Sequence, residues 1–188
     1  MNSYSMEELL QKKIYFITGV CGSGKTTALS LLKNMLSKDS YDLHDLDERG
    51  VPKNGGRHWR FEETKYLISI GKENAEKGIT TIISGFARPS ETKELAPLQK
   101  NISFILLYAD ANTIEQRIRG RYPTEESIKK FTDKRGKTID QFVQENTNFT
   151  ETMRIEAEEY GSHIIDTNNK TPDEIAREIV VTVQMENL

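Results

Sequence analysis

The stretch Gly19-Val20-Cys21-Gly22-Ser23-Gly24-Lys25-Thr26 fits G-x-x-x-x-G-K-[ST] at every constrained position. These residue types suit the holding of a chain of phosphates. Glycines let successive backbone N–H groups turn inward, with no Cβ in the way. A helix that starts at the lysine adds the positive end of its dipole. Lys25 is a mobile point charge for β- and γ-phosphates, and Thr26 offers a hydroxyl to Mg²⁺. Gly19, Cys21, Gly22, Ser23, Gly24, Lys25, Thr26 and Thr27 are the candidate nucleotide-holding residues of this loop. Cys21 fills a variable position and reads as filler, since nothing beyond the helix terminus argues for a reactive thiolate.

Other polar groups have spacings that suit phosphate chemistry. Asp45 and Asp47 lie about twenty residues after Lys25, and carboxylates at i and i+2 on an extended segment point the same way. Their alternative reading is an acidic solvated turn with Asp42 and Glu48. Arg117 and Arg121 are four apart, on one face of a helix, with Arg119 pointing elsewhere. Arg57, His58, Trp59 and Arg60 form either a guanidinium–aromatic grip on an anionic or ring-bearing ligand or ordinary packing at a helix start. His44, His58 and His163 show no metal-ligand spacing; His44 and His163 read as structural.

Short apolar runs alternate with helical periodicities along the chain. Ile14–Ile17, Tyr41–Leu46, Ile79–Ile83, Ile102–Tyr108 and His163–Ile165 read as strands. Helices are expected over residues 25–36, from about Phe61 to Gly78, over 111–121, over 139–160 with Gly161 as cap, and after Thr171-Pro172-Asp173-Glu174, which combines a capping box with proline at the first helical position. Ser5-Met6-Glu7-Glu8 reads as a further capping box or as a frayed tail. Gly50 to Gly56 is a loop by composition, and residues 122–137 read as a polar excursion from the core. Continuous apolarity in the strands means cover on both faces, hence an α/β domain with a mainly parallel sheet.

Composition bounds the rest. The 188 residues make one domain, and the single cysteine excludes an intramolecular disulfide and a cysteine-rich zinc site. With 26 Lys and Arg against 29 Asp and Glu, the net charge of −3 argues against a protein held to nucleic acid by charge alone. Residues 117–137 alone carry +5, which leaves −8 on the remainder. An acidic body with a basic flap suits a small anionic ligand. The longest apolar runs fall short of a membrane span, and Met1–Lys13 lacks an apolar signal core, so a cytoplasmic place is expected.

In order and spacing of elements, nearly the whole chain resembles the nucleotide and small-molecule kinases, the group of adenylate, shikimate and gluconate kinases. The resemblance implies a three-layer P-loop α/β sandwich with a five-stranded sheet, a lid at about residues 117–138 and an acceptor-binding region at about 45–66. Asp45-Leu46-Asp47 is similar to the D-x-D of shikimate kinase, which assigns Asp45 to Mg²⁺ and Asp47 to the acceptor and its hydroxyl. Ser84-Gly85-Phe86-Ala87-Arg88 resembles the D-G-F-P-R of adenylate kinase, which assigns Arg88 to acceptor phosphate and the transferred group. Serine stands here for the aspartate, which shifts metal binding to Asp45 and weakens the case for a nucleoside monophosphate. Arg57 and Arg60 fall where these families bind the acceptor. Arg117 and Arg121 resemble lid-base arginines that balance charge during transfer, and Arg135 lies where it can fold inward. Asn168, Asn169 and Lys170 fall where the family's adenine loop lies. Asn169-Lys170-Thr171-Pro172-Asp173 is one residue too long for the N-K-x-D of a GTPase, so ATP is expected.

Together these assign an ATP- and Mg²⁺-dependent phosphotransfer to a small acceptor such as a nucleotide, nucleoside, sugar acid or shikimate-like compound. Lys25, Asp47, Arg88, Arg117 and Arg121 are the catalytic candidates. A regulatory ATP-binding module without phosphotransfer, and a kinase of polynucleotide ends or of a sugar nucleotide, are the alternatives. Oligomeric state is not legible.

Overall fold

The computed structural model describes residues 14–52, 55–92 and 102–186. The Ser5–Glu8 capping box and the Lys53-Asn54 part of the glycine-rich loop lie outside them. Five strands, β1 (Ile14–Thr18), β2 (Tyr41–Asp45), β3 (Thr80–Ser84), β4 (Ile102–Tyr108) and β5 (His163–Asp166), form one sheet in the order β2-β3-β1-β4-β5. Every pairing is parallel. The helices are α1 (Lys25–Met35), α2 (Arg57–Glu76), α3 (Pro89–Thr92), α4 (Ala111–Gly120), α5 (Glu125–Arg135), α6 (Ile139–Glu159) and α7 (Pro172–Met185).

The strands are apolar throughout because both of their faces are covered. In β1, Tyr15 and Ile17 pack under α1 and α7 with Leu32, Ile175 and Ile179. Ile14 and Phe16 face the other way, against Leu67 and Ile68 of α2. In β4, Leu106 joins Ile114 and Ile118 of α4 and Val143 and Met153 of α6. This period-two division of an unbroken apolar run is the signature of a doubly covered parallel sheet.

Residues 122–137 are more ordered than a polar excursion implies. Thr124 and Ser127 form a reciprocal capping box, and Gly136 ends α5 with φ of 67°. Phe131, 5% exposed, lies between Tyr122 (4.8 Å) and Phe142 (5.1 Å) and ties α5 to α6. Thr138 with Gln141, and Thr171 with Glu174, cap α6 and α7 in the same reciprocal way. Among the described residues no helix is long and apolar enough to cross a membrane.

An all-parallel sheet sends every loop that leaves a strand end to one edge. The phosphate loop after β1, the Asp45–Asp47 turn after β2, the Gly85–Arg88 loop after β3 and the Thr167–Lys170 loop after β5 therefore share that edge. Ligands of open α/β sheets bind in the crevice outside these strand ends.

Candidate active site

The phosphate loop leaves β1 at Gly19, where φ is 150°; Gly22 and Gly24 follow at 92° and 104°. A Cβ on Gly19 would sit 2.5 Å from Ser23 Oγ and 2.6 Å from the Leu107 carbonyl oxygen, so only glycine fits there. Ser23 Oγ, tucked behind Gly19, is buried without a hydrogen-bond partner among the described residues. Lys25 Nζ donates to the carbonyls of Gly19 (2.7 Å) and Val20 (2.8 Å), closing the loop across its own mouth. Burial lowers the Lys25 ammonium to about 8; Arg121 pushes it the same way, while Cys21, Asp47 and Asp45 oppose. The charge on Lys25 therefore waits for an anion to replace the water it has lost.

Two loop amides are already taken. Ser23 N–H donates to the Val20 carbonyl at 3.2 Å. Cys21 N–H donates to Asn146 Oδ1 at 2.9 Å, and Asn146 Nδ2 returns to the Phe142 carbonyl one turn earlier in α6. Cys21 Sγ accepts from Arg121 Nη1 at 3.3 Å. The Cys21 backbone thus faces α6, on the far side from the cavity described next.

A cavity of about 310 Å³ opens beside the loop, lined by Gly22, Gly24, Thr27, Ala28, Arg117, Arg121, Lys170, Pro172 and Ile175. Its polar donors are Arg117, Arg121 and Lys170 and its apolar lining is Ala28 of α1 with Pro172 and Ile175 of α7, the usual make-up of a small-ligand site. Arg117 Nη1 donates to the Gly22 carbonyl (3.3 Å) and Thr167 Oγ1 (3.0 Å), and Nη2 to the Thr167 carbonyl (2.7 Å). It pins the loop after β5 to the phosphate loop. Its guanidinium is thus committed to the nucleotide side, where the sequence places it at the transferred group. Asn169 is exposed and is not among the cavity-lining residues; its φ of 54° shapes the turn that brings Lys170 and Pro172 to the wall.

On the opposite side stand the two aspartates. Only Asp45 ends β2; Asp47 lies in the following turn, where its N–H donates to Asp45 Oδ1 at 2.9 Å. An Asx-type turn, rather than an extended strand, brings the two carboxylates together. His44 braces it between Asp42 (2.9 Å) and Glu48 (2.7 Å). Burial and the Asp45 charge raise the Asp47 carboxyl, against the pull of Lys25 and of Arg135 on α5. Ser84, 1% exposed, lies in register between Ile17 and Asp45.

The remaining arginines are engaged. Arg88 pairs with Glu156 of α6 through Nε (2.7 Å) and Nη2, and its guanidinium stands 5.2 Å from the centre of Phe149. Arg60 grips both oxygens of Glu91 at 2.9–3.2 Å and covers Phe86 at 4.9 Å. Arg57 Nε reaches Glu91 at 3.4 Å. The aromatic partner of Arg60 is thus Phe86, where the sequence suggests Trp59. Glu91, Glu156, Asn146 and Thr167 escape a motif-based reading. Glu156 alone left a signal, a carboxylate in the buried stripe of Met153 and Ala157.

Thr26 and Asp45 supply oxygen donors of the kind a hard cation takes. No group of three or more His, Cys, Asp or Glu among the described residues is placed to hold a metal.

Fold and loop together define a P-loop α/β nucleotide-binding protein. The family model described as AAA domain matches residues 16–139, and the chain belongs to that family of P-loop kinases. A shikimate kinase of Bacillus cereus (strain G9842) is 30% identical over 175 residues, which cover 89% of this chain and 96% of that protein. The fold is shared with a sugar kinase from Janibacter sp. HTCC2649 (TM-score 0.58, 17% identity, 90% of this chain and 93% of that one). It is also shared with thymidylate kinase from Candida albicans (TM-score 0.55, 16% identity, 93% and 92%). The protein is a small-molecule or nucleotide phosphotransferase.

Proposed function

We propose that this enzyme moves the γ-phosphoryl group of ATP to a hydroxyl of a small acceptor seated between the Asp45–Asp47 turn and the Gly85–Arg88 loop. The observation that supports the reading is the all-parallel sheet, whose single loop edge carries both the phosphate loop with Lys25 after β1 and the Asp45–Asp47 turn after β2.

Lys25 turns from its two loop carbonyls to the β- and γ-phosphates, and the loop amides other than those of Cys21 and Ser23 hold phosphate oxygens. Thr27, Ala28, Lys170, Pro172 and Ile175 receive the nucleoside, with Arg117 fixing the wall between them. Asp47 orients the acceptor hydroxyl and takes its proton as that oxygen bonds to phosphorus and the bridging oxygen leaves with ADP. A carboxyl raised by burial and by Asp45 suits a group that must accept a proton. Arg121 and Arg135 face the charge that spreads over the transferring group. Mg²⁺, when bound, neutralises phosphate charge; Thr26 and Asp45 are the residues to hold it. Residues 117–138 serve as the lid and about 45–66 as the acceptor side of a single domain spanning 1–188, working in the cytoplasm without nucleic acid.

The test is ADP release from ATP over a panel of nucleosides, nucleoside monophosphates, sugar acids, polyols and shikimate. At least one class must stimulate turnover, and Asp47→Asn must abolish the stimulation while nucleotide binding survives. A flat response with intact ATP binding leaves a regulatory module, and Lys25→Ala with full turnover defeats the assignment of the loop.

A further inference from the structure

We infer that the acceptor is an uncharged or cationic hydroxyl compound, and that the acceptor side rejects anions. The inference rests on the kinase reading above and concerns only what that site accepts.

Four guanidinium groups stand on the acceptor side, and each meets a carboxylate. Arg60 and Arg57 share Glu91, with nearest contacts of 2.9 and 3.4 Å. Arg88 pairs with Glu156, and Arg49 Nε lies 3.7 Å from Glu63 Oε1. The carboxylates are the deeper members of these pairs. Their side chains are 16%, 7% and 10% exposed, against 22%, 28% and 53% for Arg60, Arg88 and Arg49. Glu156 is fixed from behind as well, since its Oε1 accepts the Ser90 N–H at 2.9 Å. Arg60 and Arg88 also stand over the rings of Phe86 and Phe149, 4.9 and 5.2 Å from their centres.

An anionic acceptor needs guanidinium N–H groups that face it. An anion that takes over the Nε and Nη2 groups of Arg60 or Arg88 displaces Glu91 or Glu156 and leaves that largely covered carboxylate without its counter-charge. Asp45 and Asp47 follow β2 at the same edge of the sheet, so among these described residues five carboxylates stand against four guanidinium groups. Lys25 and Arg135, the other cations acting on Asp47, are matched to the phosphates of ATP. Among the described residues, what remains for an acceptor beside these pairs is a set of oxygen atoms that take hydrogen bonds from hydroxyl or ammonium groups, near the rings of Phe86 and Phe149. The basic flap and its preference for anions thus belong to the nucleotide, and the acceptor is selected with the opposite sign.

The test uses the full-length protein with Mg·ATP and acceptors matched in shape but not in charge: gluconate against sorbitol and 2-amino-2-deoxysorbitol, shikimate against its methyl ester, and AMP against adenosine. The expected result is ADP release stimulated at least about tenfold better by the uncharged or cationic member of a pair, since like-charge contact in a site costs more than that factor. Glu91→Gln loosens Arg60 and is expected to raise the anion-to-neutral ratio of kcat/KM about tenfold; its thermal midpoint reports folding. Turnover led by the anionic member, or a folded Glu91→Gln protein with an unchanged ratio, overturns the inference and leaves the kinase reading intact. Nucleotide binding with no stimulation by any member overturns the kinase reading and the inference with it.

Discussion

Gly85 sits where the two halves of the candidate site meet, and alanine there tests the geometry directly. Its backbone is outside the left-handed region, so close approach is the only reason for glycine. A Cβ on residue 85 would lie 2.3 Å from Leu46 Cβ, 3.0 Å from its Cδ2 and 3.2 Å from its Cγ. Carbon atoms in contact stand about 3.5–4.0 Å apart, so the Cβ–Cβ gap falls short by more than about 1 Å. A rotamer change of Leu46 relieves the two longer contacts but not the shortest, because each Cβ moves only with its backbone. Leu46 is 1% exposed, and its N–H donates to the Ser84 carbonyl at 2.8 Å. Relief must therefore part the ends of β2 and β3. Overpacking of this kind costs about 1–3 kcal/mol. The same shift carries Asp45 and Asp47 away from Lys25, and a misplacement of about 1 Å costs about a hundredfold in turnover. Urea unfolding of Gly85→Ala should show a midpoint lowered by about 1 M at constant slope. Nucleotide affinity should stay within a few-fold, as the phosphate loop is untouched. In a Leu46→Ala background the cost of Gly85→Ala should persist, since the Cβ pair persists. A cost below about 0.5 kcal/mol, within the range of an ordinary surface change, or its disappearance with Leu46→Ala, would refute the reasoning.

Three further outcomes follow from the site. Lys25 is held at about 8 by burial, so the unliganded enzyme loses its phosphate-binding charge as pH rises through that value. ATP affinity should fall by up to about tenfold per pH unit above it, with proton uptake on binding seen by calorimetry in two buffers; flat affinity from pH 7 to 10 contradicts this. Arg117→Ala removes three hydrogen bonds between the phosphate loop and Thr167. With charged hydrogen bonds worth about 1.5–3 kcal/mol, nucleotide Kd should rise about tenfold or more, measured with a fluorescent ATP analogue. Phe131→Ala removes the ring that fixes α5 between Tyr122 and Phe142. Amide exchange should quicken across Glu125–Arg135 while Ile139–Glu159 keeps its protection; unchanged exchange in α5 means that another contact holds it.

The sequence by itself determined the phosphate loop, the five strands and their double cover, because these are local. A glycine spacing, an unbroken apolar run and a capping box each act through neighbours in the chain. The helix over Glu125–Arg135 was legible too, in Thr124, Ser127 and Gly136, although polarity made the segment read as an excursion. Tertiary structure alone decided how the arginines are spent. Arg117 turns from the transferred group to Gly22 and Thr167, Arg60 to Glu91 and Arg88 to Glu156, across separations of 31 to 95 residues. Charge balance in a crevice depends on which carboxylates the fold brings within a few ångströms of each guanidinium. Nothing in the order of residues along a chain states that distance, and it is this pairing that separates a site for anions from one that refuses them.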